Sequence, residues 1–239
     1  MNTGYNILKN IAMHMFIVIC ALGTAFSPVL HATDQSGIFV DGNGWTELHR
    51  LVGSGSLNFF DYNNVDLCLK RNPLLRLAKT VRGDAPLHVL IEAQCMLGTI
   101  SNLDYQSNIV KIIKALVSTE YEVKPGKKVR SGINIQNSLK ETALHLAAGY
   151  GLDYIITLLL AHGADKEALT VAKNTPLNFA VGRGHLSSVR LLLDSGARCS
   201  EKTISLAQER IDFWRRKDDA EGIEIYIHIL EELLRHRVA

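Results

Sequence analysis

The sequence predicts an all-α solenoid built from helix–turn–helix units, and three observations carry that expectation. First, the segment Glu141-Thr142-Ala143-Leu144-His145-Leu146-Ala147-Ala148-Gly149-Tyr150-Gly151 returns in step as Asn174-Thr175-Pro176-Leu177-Asn178-Phe179-Ala180-Val181-Gly182-Arg183-Gly184. Second, the same step persists downstream, where Leu158-Leu159-Leu160 matches Leu191-Leu192-Leu193 and Gly163-Ala164 matches Gly196-Ala197. Third, 47% apolar and 21% charged residues describe a folding chain and exclude a disordered one. A repeat at a fixed period of this size marks units that bury area only against their neighbours.

Each repeat reads as two helices. Thr142 and Thr175 are good N-caps, and Pro176 suits the first helical position, where a missing N–H costs nothing. Leu144, Ala147, Ala148 and Leu177, Ala180, Val181 form a small apolar face for close stacking. Gly151 and Gly184 end this first helix. Ile155, Ile156 and Leu158–Leu160 form the second, as do Val189 and Leu191–Leu193, with Gly163 and Gly196 as stops.

The step from Glu141 to Asn174, combined with Thr-Pro-Leu-x-x-Ala and Thr-Ala-Leu-His-x-Ala, resembles the ankyrin repeat family. The resemblance implies an inner helix, a tight turn and an outer helix per unit, joined by short β-hairpin loops. It also implies a concave binding face made of hairpin tips and inner helices.

Around the two regular units, at 141–166 and 174–199, lie fainter ones. Trp45-Thr46-Glu47-Leu48-His49 opens a unit near 44–72, with Gly42-Asn43-Gly44 read as its hairpin turn. Asp84-Ala85-Pro86-Leu87-His88 opens another at 83–118, with an insertion at about 93–107 between its helices. A further insertion, about 119–132, precedes Ile133-Asn134-Ile135. Thr203 to Arg235 reads as a degenerate, polar cap at 202–235, so the repeat domain spans 42–235.

The N-terminal segment 1–32 differs from the rest. Lys9 precedes a strongly apolar run, Ile11 to Phe26, with small residues at Gly23-Thr24-Ala25. This pattern predicts a secretory signal peptide over 1–32, or an uncleaved anchor over 11–30. Its removal leaves 25 basic against 24 acidic residues, with Cys68, Cys95 and Cys199 as one pair plus a thiol or as three thiols. A net charge of +2 for the whole chain gives no strong field toward nucleic acid.

No residue pattern points to catalysis, a cofactor or a metal. His49, His88 and His145 recur at one repeat position, which the resemblance makes a structural hydrogen-bonding site. Gly149-Tyr150-Gly151 and Gly182-Arg183-Gly184 follow helices and lack a P-loop lysine. The basic run Lys124–Arg130 reads as a solvated loop, with binding of phosphate or an acidic partner as the alternative.

The expected function is a non-enzymatic protein-interaction scaffold, exported to the periplasm or beyond and acting on a host or envelope protein. The alternatives are a small enzyme with active residues within 93–132, and an envelope structural or inhibitory module. Another protein is the expected partner, with a membrane involved only if the N-terminal segment stays attached. Carried over from the resemblance, the partner-binding candidates are Leu139, Lys140, Tyr150, Asp153, Lys173, Asn174 and Arg183.

Overall fold

The computed structural model describes residues 32–33, 39–53, 62–97, 103–118, 122–124, 127–128 and 132–238. The expected signal segment lies outside the described residues, apart from Ala32. The chain divides into two compact units, Met1–Arg130 and Ser131–Ala239.

In the first unit, α1 (Glu47–Gly53) packs against α3 (Pro86–Leu97), and α2 (Tyr62–Arg71) packs against α4 (Leu103–Val117). A short 3-10 turn, Pro73–Leu77, follows α2; Asn72 caps it by accepting the Leu74 N–H at 3.1 Å. Leu48, Leu69, Leu90, Ile91, Ile112, Ile113 and Leu116 are fully buried. Residues 93–107, expected as an inserted stretch, contain the end of α3 and the start of α4, so the helices themselves are long.

In the second unit the helices form two rows. The inner row is α5 (Ala143–Tyr150), α7 (Pro176–Arg183) and α9 (Glu201–Arg215). The outer row is α6 (Asp153–Ala161), α8 (Leu186–Asp194) and α10 (Ala220–Val238). Every residue of α5 from Ala143 to Gly149 is buried, and the helix packs on α6 and α7. Small side chains make that possible: Gly149 sits so close to the Phe179 ring that a Cβ there would lie 3.2 Å from it. Leu144, Ile156, Leu159 and Leu177 fill the space between the rows. These rows are an all-α, ankyrin-like solenoid.

The expected β-hairpin loops are not present. Among the described residues, the connectors entering α1, α3, α5 and α7 contain turns and no strand. The short ladders that do occur pair β1 (Ala32–Thr33) with β2 (Phe39–Val40), and β3 (Glu122–Lys124) with β4 (Lys127–Lys128). Gly42-Asn43-Gly44 is therefore not a hairpin tip. Each tip is instead closed by the backbone bonds of a five-residue turn, as at Thr170–Asn174, where Thr170 N–H donates to the Asn174 carbonyl.

The far end of the second unit is less uniformly polar than its composition implies. Tyr226, Ile229 and Leu233 of α10 are buried, but Ile225, Ile227 and Leu234 are 38%, 41% and 44% exposed. The thiols Cys68, Cys95 and Cys199 form no disulfide, and burial pushes that of Cys68 up to about 11.

Candidate protein-interaction surface

Among the described residues, four copies of one five-residue turn build the loop tips. In each, the first residue's N–H donates to the fifth residue's carbonyl, and the fourth residue's N–H donates back to the first carbonyl. The pairs are Asp41–Trp45, Thr80–Asp84, Asn137–Glu141 and Thr170–Asn174, all within 3.1 Å. A side-chain oxygen of the first residue then accepts the fifth N–H: Asp41 Oδ1, Thr80 Oγ1, Asn137 Oδ1 and Thr170 Oγ1. This is why Asp, Asn or Thr stands first in every copy. Neighbouring tips are stitched by single backbone bonds, Val81 N–H to Asn43 C=O at 3.0 Å and Val171 N–H to Leu139 C=O at 2.9 Å.

The fourth turn position is always left-handed. In the first unit it is Gly44 and Gly83, at φ 73° and 79°. In the second it is Lys140 and Lys173, at φ 58° and 54°. A side chain held there costs about 1–2 kcal/mol that glycine avoids. Offsetting this with glycine's greater freedom when unfolded, Lys140→Gly and Lys173→Gly should each stabilise the protein by about 0.5 kcal/mol. Urea denaturation of each variant checks the sign.

The recurrent histidines knit successive repeats. His49 Nδ1 accepts the Thr46 N–H at 3.2 Å, so its Nε2 carries the proton and donates to the Asp84 carbonyl at 3.1 Å. His145 does the same with the Thr142 N–H at 3.1 Å and the Asn174 carbonyl at 3.0 Å. Asn178 replaces the imidazole without loss of the pattern: Oδ1 accepts the Thr175 N–H at 2.9 Å, and Nδ2 donates to Thr203 Oγ1 at 2.9 Å. Burial pushes His49 down to about 4, against the opposing pull of the Asp84 carbonyl and carboxylate. Burial likewise lowers His145. These neutral rings are structural. Among the described residues, no group of three or more His, Cys, Asp or Glu could hold a metal ion.

The sequence-derived candidates fall into separate places. Leu139, Lys140, Lys173 and Asn174 occupy two stitched tips, with Leu139 59% exposed and both lysines exposed. The Asn174 carbonyl is already taken by His145. Tyr150 and Arg183 end α5 and α7, at the opposite ends of these helices from the tips, about 12 Å away along an eight-residue helix. Tyr150 is half-buried and Arg183 exposed. Asp153 opens α6 on the outer row, where Oδ1 accepts the Ser188 hydroxyl at 2.5 Å; it staples α6 to α8.

Three residues beside the tips escape the repeat comparison. Leu169 and Val171 are 49% and 64% exposed. Lys202 reaches from α9 to donate to the carbonyls of Ala172 at 2.9 Å and Lys173 at 3.0 Å. The signal that points to this edge is the turn spacing Asn137-x-x-Lys140 and Thr170-x-x-Lys173, parallel to Asp41-x-x-Gly44 and Thr80-x-x-Gly83. Along α9 and its C-cap, Leu206, Glu209, Arg210, Asp212, Phe213 and Arg216 line an open depression of about 380 Å³.

Stacked helix pairs, stitched tips and neutral structural histidines define a helical-repeat scaffold of the non-catalytic kind. Residues 104–203 match the family model for ankyrin repeats in three copies, which supports the ankyrin-repeat family. The relatives agree. The chain is 30% identical over 164 residues to the transient receptor potential cation channel subfamily A member 1 of Drosophila melanogaster, covering 69% of this chain and 12% of the relative. It is 41% identical over 64 residues to the Caenorhabditis elegans homolog of that channel, covering 27% of this chain and 5% of the relative. It is 41% identical over 63 residues to human NF-kappa-B inhibitor alpha, covering 26% and 20% respectively. The chain thus spans no more than a fifth of these relatives' lengths. Ankyrin repeats generally mediate protein–protein interactions through their concave face.

Proposed function

We propose that this chain is an exported protein-interaction scaffold that binds a host or envelope protein along the inner-helix side of its second unit. The observation that supports this reading most is the pairing of Tyr150 and Arg183 at equivalent ends of adjacent inner helices, with Arg183 exposed. Tyr and Arg are favoured anchors when a partner removes them from water. Export rests on the apolar run Ile11–Phe26 behind Lys9. Among the described residues no helix is long and apolar enough to cross a membrane. A net charge of +2 offers no support for nucleic acid as the partner.

The test is capture of a partner by the full chain and by Tyr150→Ala/Arg183→Ala. The double variant should keep its melting temperature and lose roughly tenfold or more in affinity, a typical effect of removing interface anchors. Undiminished capture would reject this placement. N-terminal sequencing of the protein from fractionated cells tests export; an intact Met1 in a soluble cytoplasmic fraction would reject it.

A further inference from the structure

The loop tips of the second unit combine three features. Apolar Leu139, Leu169 and Val171 are 59%, 49% and 64% exposed, and the Val171–Leu139 backbone bond sets two of them side by side. Lys140 and Lys173 stand at left-handed positions where the first unit has glycine. Neither ammonium makes an ion pair or side-chain hydrogen bond among the described residues, whereas Arg82, at a tip of the first unit, lies 3.4 Å from Asp84 and 3.5 Å from Glu92.

Lys140, Lys173 and Lys202 outnumber the acid of these two turns, Glu141. Segments 136–140 and 168–174 contain no Asp or Glu. Lys202 adds a third ammonium, held over the turn by the carbonyls of Ala172 and Lys173. Glu141, the fifth residue of the first turn, accepts the Asn137 amide within that turn at 3.1 Å, and the flanking Glu167 accepts the Arg198 N–H at 2.8 Å. Two lysines stand in a left-handed conformation, their ammonium groups without an acidic partner among the described residues and beside exposed apolar side chains. Strain of this kind persists where the residue serves another role.

We infer that this edge is the recognition strip for an extended, acidic segment of a partner protein. Carboxylates of the segment face Lys140, Lys173 and Lys202, and an apolar side chain lies over Leu139 and Val171. The inference rests on the scaffold reading above and names its partner's chemistry. Opposite charge steers the encounter, while the apolar contact supplies the desolvated centre.

The test uses the full chain, a short labelled peptide alternating Glu with Leu, and the same peptide with Gln in place of Glu. Phosphatidylserine-containing vesicles and single-stranded polyuridylate serve as the other anions. The Glu peptide should bind, weaken with added salt, and bind roughly tenfold more weakly to Lys140→Gly/Lys173→Gly. That variant should also melt at a higher temperature, an increase that a purely structural role for the lysines would not produce alongside lost binding.

Equal affinity for the Gln peptide, an unchanged affinity of the variant, or tighter binding to vesicles or polyuridylate would each overturn the proposal. A partner that is lost from Tyr150→Ala/Arg183→Ala but retained by the lysine variant would overturn the strip and leave the scaffold reading standing. Retention by both variants would overturn both.

Discussion

Acidification from pH 7 to near pH 4 is expected to remove about 3 kcal/mol of stability from the first unit through His49 alone. The imidazole is fully buried and titrates at about 4, below its ordinary value of 6.5. Between those two values the unfolded chain binds a proton that the folded chain refuses, so stability rises with pH across the window. The contribution is complete above about pH 6.5 and is lost as pH falls toward 4, at about 1.4 kcal/mol per pH unit. The cause is geometric as well as dielectric. A proton on Nδ1 would face the Thr46 N–H that now donates to it at 3.2 Å.

Urea midpoints of the full chain across this range measure the effect, and His49→Asn is the control. Asn178 already shows that an amide fills this repeat position, accepting from Thr175 and donating onward. The variant should therefore fold and show a markedly flatter pH dependence. An equal pH slope in the variant would assign the acid sensitivity elsewhere. His145, lowered by the same burial, acts in the same direction in the second unit.

Gly151→Ala is expected to destabilise the second unit by about 2–4 kcal/mol, at the upper end of single-residue effects. For Gly163→Ala the expected loss is only about 1–2 kcal/mol. Both glycines are left-handed, at φ 70° and 83°. Each therefore carries the backbone penalty of about 1–2 kcal/mol for a side chain in that region. They differ in surroundings. A Cβ at Gly151 would lie 2.7 Å from His185 Nδ1, while one at Gly163 meets nothing within 4 Å. His185 cannot yield freely, because its Nε2 donates to the Gly149 carbonyl at 3.1 Å. Displacing it forfeits that bond, worth about 1 kcal/mol, and disturbs the α6–α8 packing. Thermal denaturation of the two variants separates strain from crowding: equal losses would show that His185 moves aside without cost.

The helices are legible in the sequence because their signals are local. Thr142, Pro176, Gly151 and Gly184 are capping residues, and they stand at the observed helix ends. The spacing of Ile155, Ile156 and Leu159 marks a buried face whatever the neighbours are. The binding surface is legible only in part. Asp153 reads as exposed surface in the sequence, but whether a carboxylate is free depends on what lies opposite, and Ser188 lies there. Leu169, Val171 and Lys202 give no such local signal, because their exposure and grouping arise from turns one repeat apart being stitched together.

The hairpin loops show the same limit from the other side. A repeat resemblance carries an average connector, while the actual connector is set by the one oxygen that closes it, as at Asn137 and Thr170. By itself the sequence determined the repeat period, the helix pairs and their caps, since these depend on contacts within one unit or at a fixed step to the next; the structural role of the histidines came from the family resemblance and is borne by the bonds they make. Only the tertiary structure decided that Lys140 and Lys173 are left-handed, that Asp153 is engaged, and that the tips form one basic, apolar edge. Backbone handedness and charge pairing are settled by which groups folding brings within reach of one another.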